Sequence, residues 1–220
     1  MPKRRVTVWD LPTRVFHWGL VFCLAGSWYT SGDEDRLETH LLFGYGALAL
    51  LLFRVVWGVV GSDTARFASF VKGPAAAWLH LRHLFGTKAL EAHAGHNPLG
   101  AYAVLALLGL VAVQVGSGLF LSGGDIVLVE GPLSQYVDQR TEDWLETVHE
   151  TAFILLQVMV AVHVLAIAFY GLFARRDLVG PMLTGRAEVE GAPPRLASPL
   201  KALLVALGAG GVVWALATLA

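Results

Sequence analysis

The sequence contains five apolar stretches that are each long enough to cross a lipid bilayer as a helix. About 20 predominantly apolar residues are needed for such a crossing. The stretches run from about Thr13 to Tyr29, Thr39 to Val60, Pro98 to Leu121, Leu145 to Phe173 and Leu200 to Leu219. They lack the alternating pattern of a membrane barrel. The sequence therefore predicts an all-α integral membrane protein with five spans.

The composition excludes several other classes of protein. Of 220 residues, 55% are hydrophobic and only 15% are charged, whereas a soluble domain of this size needs more polar cover. Cys23 is the only cysteine, which excludes a disulfide within the chain and a thiolate metal cluster. The net charge of -1 gives no indication of nucleic-acid binding. Asp10, Pro12 and Arg14 interrupt the pattern of a cleaved signal peptide, so we expect the first span to remain in the mature protein.

The distribution of charge predicts the orientation of the spans. The first and third loops contain one basic residue each, Arg36 and Arg140, whereas the other segments outside the spans are rich in lysine and arginine. Positive segments stay cytoplasmic, so we expect a cytoplasmic N-terminus and a periplasmic C-terminus. The two outer loops are acidic and suit a basic partner. Their acidic residues are Asp33, Glu34, Asp35, Glu38, Asp125, Glu130, Asp138, Glu142, Asp143 and Glu146.

Four of the eight histidines lie in or at the ends of the predicted spans: His17, His40, His149 and His163. Such residues are costly in a membrane and are candidates for function, although each could also hydrogen-bond a neighbouring helix. His149 and His163 are 14 residues apart, so they lie on one face of the fourth span. The helix rise separates them by ~21 Å, which is too far for one metal ion.

The depth of each histidine predicts two pairs. His40 and His149 lie near the outer side of the membrane, and we call their location the outer site. His17 and His163 lie toward the cytoplasmic side, at the inner site. Facing histidines suit a planar iron porphyrin with both axial positions filled, which favours electron transfer. Because the sequence has no Cys-x-x-Cys-His motif, the predicted cofactors are two non-covalent haem b groups.

Other residues could support these haems. Arg14 and Arg54 lie near the cytoplasmic edge and are candidate partners for the propionates of the inner haem. Alternatively, Arg14 anchors the chain as a positive cytoplasmic residue, and Arg54 extends along the lipid to the membrane surface. Small residues on the first three spans allow a flat ring, or simply another helix, to approach closely. They include Gly19, Gly26, Gly44, Gly46, Gly109, Gly116 and Gly118.

Several motifs together resemble the bacterial cytochrome b561 and nickel-hydrogenase cytochrome b family over about residues 6–180. His40 at the start of the second span and the spacing of His149 and His163 fit the pattern of that family. So do Val-Trp-Asp-Leu-Pro-Thr-Arg-Val-Phe-His-Trp at 8–18, Arg-Val-Val-Trp-Gly at 54–58, Arg-Phe-Ala-Ser-Phe-Val-Lys-Gly-Pro at 66–74 and His-Asn-Pro-Leu-Gly at 96–100.

The resemblance implies a four-helix di-haem bundle in residues 1–180, with His17, His40, His149 and His163 as ligands, in the bacterial inner membrane. Residues 181–220 would then be a cytoplasmic linker and an additional transmembrane helix, which could dock a partner subunit or tether the complex. Because of this additional helix the oligomeric state stays open, and the protein could form a homo-oligomer or a hetero-oligomer.

The resemblance further implies electron exchange between a quinone, ubiquinone or menaquinone, and a periplasmic redox partner such as a c-type cytochrome. Quinone oxidoreductase activity is consistent with this role. Related formate dehydrogenase cytochrome subunits hold their quinone near a polar residue before the third helix. His96 and Asn97 occupy a similar place in this sequence. Asn97 could equally cap the third span, with Pro98 at its first position.

Other functions remain open at this point. The family includes cytochrome subunits of membrane-bound hydrogenases, and a stand-alone quinone reductase could take electrons from superoxide. A metal-ion transporter would need acidic and histidine ligands at one depth, whereas these histidines lie at two depths. A structural anchor would leave the four histidines without a role. His80, His83 and His93 lie in the basic inner loop, and we favour a solvated or interfacial face over metal chelation by His80 and His83.

Overall fold

The computed structural model describes residues 4–84, 95, 97–123, 129–189 and 192–219, and the protein is mostly helical. Two short 3-10 helices and a two-stranded sheet accompany eight α-helices within these residues. In chain order the elements are β1 (Arg4–Thr7), α1 (Leu11–Thr30), α2 (Leu37–Val60), α3 (Phe67–Phe70), α4 (Pro74–Leu84), α5 (Pro98–Gly118), α6 (Gln139–Leu172), α7 (Val179–Thr184), β2 (Arg186–Val189) and α8 (Pro199–Ala217).

Four helical segments in the described residues are long and apolar enough to cross a membrane: Glu34–Val60, Pro98–Gly118, Gln139–Leu172 and Pro199–Ala217. They correspond to the second to fifth predicted spans. Helix α1 covers the first predicted span but is not among the four. Its sequence contains Arg14, His17 and several other polar residues among the apolar ones. Membrane crossing by α1 therefore stays a prediction.

Helix α6 begins earlier than its apolar pattern predicts. The Asp138 carboxylate accepts a hydrogen bond of 2.9 Å from the Thr141 backbone N–H and caps the helix. Hydrogen bonds from the Thr141 side chain and backbone lower the pKa of Asp138. The helix has 34 residues, or about 51 Å, which exceeds the ~30 Å hydrocarbon core. Part of α6 therefore extends beyond the hydrocarbon core.

The chain forms two compact units. The first unit consists of Met1–Val15, Val55–Leu107 and Met159–Ala202. The second consists of Phe16–Arg54, Leu108–Val158 and Leu203–Ala220. The expected division into residues 1–180 and 181–220 stays a prediction.

In the first unit, the start of the chain is fixed by a small sheet and a buried carboxylate. β1 and β2 pair antiparallel, and Val8, Trp9 and Val189 form a buried cluster beside them. The Asp10 carboxylate accepts hydrogen bonds from the Thr13 backbone N–H (2.8 Å) and from Trp57 Nε1 (3.1 Å). The first of these bonds caps α1, and the second connects the start of α1 to the end of α2.

The segment before α8 is held on the turn that follows α2. The backbone N–H of Arg195 donates to the Asp63 carboxylate (2.9 Å), and the backbone N–H of Ala197 donates to Ser62 Oγ (2.9 Å). Lys201 Nζ donates to the carbonyl of Val60 over 3.1 Å. These contacts fix the approach of the chain to its last helix within the first unit.

In the second unit, glycines allow α1 and α2 to pack closely. A Cβ atom at Gly26 would overlap the Phe43 ring, and one at Gly46 would lie 2.9 Å from Cys23 Sγ. These two glycines therefore serve helix packing. By contrast, a Cβ atom at Gly44, Gly109 or Gly116 would have no neighbour within 4 Å.

Replacing Gly26 with alanine should destabilise the second unit, because the added methyl group meets the Phe43 ring. Overpacking of this kind costs about 1–3 kcal/mol. Thermal unfolding in detergent should occur at a lower temperature for Gly26→Ala than for the wild type. Gly208→Ala is the matched control, since a Cβ atom there has no neighbour within 4 Å. Equal unfolding temperatures for the two variants would contradict this packing.

Candidate functional site

The second unit brings together the two histidines that the sequence assigns to the outer site. His40 lies on α2 and His149 on α6, and both are half-buried. Their ring centroids are 6.4 Å apart, with the ring planes inclined by 68°. The two imidazoles therefore approach each other across α2 and α6.

The hydrogen bond of His40 selects one tautomer. Its Nδ1 lies 2.9 Å from the carbonyl oxygen of Ser27 on α1. A carbonyl oxygen only accepts, so Nδ1 carries the proton and donates it. Nε2 then keeps its lone pair, which is the arrangement typical of a histidine that binds a metal through Nε2.

The surroundings of His149 are compatible with the same tautomer. The Ser117 hydroxyl on α5 donates to the carbonyl of Val113 (2.8 Å) and lies 3.1 Å from His149 Nδ1. Its oxygen can therefore accept the proton of Nδ1. Nε2 of His149 then accepts a hydrogen bond of 2.8 Å from the side-chain amide of Gln114. This amide would have to withdraw for Nε2 to bind a metal.

The separation of the two rings fits a single metal ion between them. A metal–imidazole bond is about 2.0–2.1 Å long. The centre of a five-membered ring lies about 1.1 Å from its atoms when the bonds are about 1.33 Å. Two imidazoles on opposite sides of one metal therefore have centroids about 6.3 Å apart, against the observed 6.4 Å. Spacing and donor type both fit the axial positions of a haem iron.

The histidines of the predicted inner site lie in different units. His17 belongs to the second unit and His163 to the first, and both are half-buried. The ring of His17 meets that of Trp18 edge to face, with centroids 4.9 Å apart. The pairing of His17 with His163 stays a prediction.

The two candidate arginines differ in their surroundings. Arg54 is only 2% exposed, and its guanidinium carbon lies 5.9 Å from the centroid of the Phe16 ring. It is thus buried in protein and does not extend to a membrane surface. Arg14 donates from a terminal guanidinium nitrogen to the carbonyl of Leu183 over 2.7 Å. This bond holds the first turn of α1 to the end of α7.

The first unit contains a buried polar cluster that includes Asn97. The Asn97 side-chain oxygen accepts a hydrogen bond of 2.7 Å from the Gly100 backbone N–H, so the residue does cap α5. Its Nδ2 donates to the Tyr170 hydroxyl over 3.2 Å. Nε2 of His80 lies 3.0 Å from the same hydroxyl. His96, the other residue assigned to the quinone, lies outside the described residues.

Of the expected solvated or interfacial face, the solvated alternative is wrong for His80. The residue is only 9% exposed and Tyr170 only 7%. The sequence could not indicate this contact, because the two residues are 90 positions apart. The side chain of His83 and the whole of His93 lie outside the described residues. Among the described residues, no three histidine, cysteine or acidic side chains are placed to hold a metal ion. Because the His83 side chain lies outside these residues, chelation by His80 and His83 stays untested.

Some of the acidic residues in the predicted outer loops have partners within the protein. Asp33 forms an ion pair of 2.9 Å with Arg36. The Glu142 carboxylate accepts a hydrogen bond of 2.7 Å from the Ser122 backbone N–H. Asp125 lies outside the described residues. Glu38, Asp143 and Glu146 are exposed and leave negative charge on the surface.

A comparison with known protein families shows to which family the chain belongs. Residues 8–185 match the family described as prokaryotic cytochrome b561. No curated protein and no solved structure matches the chain. The matched region includes all four histidines of the predicted sites and ends before α8. The chain therefore belongs to the prokaryotic cytochrome b561 family.

Proposed function

We propose that this protein carries two haem b groups and transfers electrons between the quinone pool and a periplasmic redox partner. Membership of the family makes the chain a membrane b-type cytochrome of electron transfer. The number of haems, their ligands and the partners belong to our proposal. The observation that carries it is the 6.4 Å separation of the His40 and His149 rings.

At the outer site, His40 and His149 would hold the haem through their Nε2 atoms. Haem b bound by two histidines supplies one-electron transfer without an open position for oxygen. The Ser27 carbonyl and the Ser117 hydroxyl keep the Nδ1 protons in place. These hydrogen bonds orient both imidazoles and increase their basicity as ligands.

At the inner site, His17 and His163 would hold the second haem. Arg54 is buried on the same helix as His40. A haem propionate is an anion of the right chemistry for Arg54, and Arg14 is the second candidate for this role. The 14-residue spacing from His149 places His163 on the same face of α6.

The two ends of the electron path would meet different partners. A quinone would bind near Asn97 in the first unit, on the side of His163. A basic protein such as a c-type cytochrome would meet the acidic outer loops, where opposite charge speeds encounter. In this arrangement the N-terminus is cytoplasmic, the C-terminus is periplasmic, and the membrane is the bacterial inner membrane.

The purified protein should show b-type bands in a reduced-minus-oxidised spectrum and two haems per chain in a pyridine haemochrome assay. The His40→Ala and His149→Ala variants should both lose the same haem signal in redox titration. The His17→Ala and His163→Ala variants should lose the other signal. Absence of haem would refute the whole proposal, and loss of the same haem signal in His17→Ala and in His40→Ala would refute the pairing.

Replacing Gly118 with alanine should weaken the outer site alone. The new Cβ atom would lie 3.0 Å from His149 Cε1 and 3.3 Å from its Nδ1, so the ring must move. Disturbed ligand orientation typically costs about 10-fold or more in affinity, and a titration of the haem-free protein with haem would measure this. Gly109→Ala is the control, because it lies on the opposite face of α5 with no atom within 4 Å of the new Cβ. Equal affinity in both variants would contradict the placement of His149.

The orientation can be tested with alkaline phosphatase fusions, since this enzyme folds only in the periplasm. A fusion after Leu219 should be active, because α8 carries the chain outward. A fusion after Arg195 should be inactive, because we place the segment before α8 in the cytoplasm. The reverse pattern of activity would overturn the proposed topology.

A further inference from the structure

We propose that Tyr170 and His80 form a proton-transfer pair for a quinone whose head group binds at Asn97. This inference rests on the proposed quinone reaction and adds to it the residues that handle protons. Quinone becomes quinol by gaining two electrons and two protons, and quinol oxidation is the reverse. The electrons are exchanged with the haem iron, and the pair exchanges the protons with the cytoplasmic side.

The first observation is the burial of the pair. His80 on α4 and Tyr170 on α6 are 9% and 7% exposed, and their side chains meet at 3.0 Å. Burying polar groups is costly, and apolar side chains would join the two helices without that cost. A buried imidazole and a buried phenol in contact are therefore candidates for chemistry.

The second observation is the direction of the hydrogen bonds. Asn97 Nδ2 donates to the Tyr170 oxygen. The hydroxyl has a single proton, which it can donate to His80 Nε2. If quinol gives a proton to the Tyr170 oxygen, the hydroxyl passes its own proton to His80. Each passage carries one net proton and leaves Tyr170 neutral, so oxidation of one quinol needs two passages, and His80 releases its proton to the cytoplasmic side after each. In quinone reduction the same shifts run in the opposite direction. The Asn97 amide has a second hydrogen, which can bind a quinone oxygen.

The third observation is the position of Tyr170 relative to His163 in the first unit. The two residues are seven positions apart on α6. Seven residues make two turns within about 20°, so they share one face of the helix, about 10 Å apart along its axis. A head group beside Tyr170 would therefore lie next to the haem that His163 is proposed to hold. Proton exchange and electron exchange would then occur at one place.

The same hydrogen bonds could merely fasten α4 to α6, so the experiment must separate the two roles. We would mix the haem-loaded full-length protein with decylubiquinol, and separately with menadiol, and follow haem reduction in a stopped-flow spectrometer. Tyr170→Phe removes the hydroxyl. His80→Gln keeps a polar contact but cannot carry a proton at neutral pH. Tyr102→Phe is the matched control, because it removes a hydroxyl of the same unit that donates to the Lys72 carbonyl over 2.8 Å.

Tyr170→Phe and His80→Gln should slow reduction by quinol at least about 10-fold, since positioned proton transfer typically contributes 10²–10⁴-fold. Tyr102→Phe should react at the wild-type rate. Haem content, unfolding temperature and reduction by dithionite should be the same in all four proteins. The wild-type rate should fall in deuterium oxide, and this fall should be smaller in Tyr170→Phe.

Three results would contradict the proposed proton transfer by Tyr170 and His80. One is a wild-type rate with quinol in Tyr170→Phe. Another is slow haem reduction in Tyr170→Phe or His80→Gln that is fully explained by lost haem or by lowered thermal stability. In that case Tyr170 and His80 only join α4 to α6. The third is a wild-type protein that holds haem but reacts with neither quinol. That last result, like absence of haem, would also refute the proposed quinone function, whereas the first two leave it intact.

Discussion

The arrangement of the second unit depends on how two imidazole rings satisfy their hydrogen bonds. A polar ring nitrogen in an apolar helix needs a partner. For His40 on α2 the partner of Nδ1 is a carbonyl of α1, and for His149 on α6 it is a hydroxyl of α5. Four helices therefore meet at one pair of rings, and the carbonyl at His40 leaves the lone pair that a metal needs on Nε2 of that ring. Helix packing and ligand orientation have the same physical cause.

Much of the sequence pattern of the family has a structural explanation in the first unit. Asp10 in the first motif and Trp57 in the second are joined by a buried hydrogen bond. A Cβ atom at Gly58 would overlap the Phe67 ring of the third motif. The contacts of Asp10, Trp57 and Gly58 fix the start of α1 and the end of α2, the helices that carry His17 and His40. These three residues support the proposed sites without being ligands in them.

The sequence predicts those features that depend on local pattern or on depth in the membrane. Apolar length indicates four of the spans, the Asn-Pro pair indicates the cap of α5, and the alternating direction of the helices indicates the meeting of His40 with His149. Contacts between distant segments leave no such pattern, so the burial of His80 against Tyr170 was missed. The apolar pattern also does not indicate the first turns of α6, because these turns are polar and only Asp138 marks the boundary.

The attachment of residues 195–201 to the turn after α2 has a mechanical consequence. Helix α8 lies outside the region that matches the family, yet its first turn holds the carbonyl of Val60 through Lys201. A subunit that gripped α8 would pull directly on the end of the helix that carries Arg54 and His40. A force on α8 would thus reach α2, the helix that presents a proposed haem ligand. Binding of a subunit to α8 and the redox properties of that haem would then be coupled.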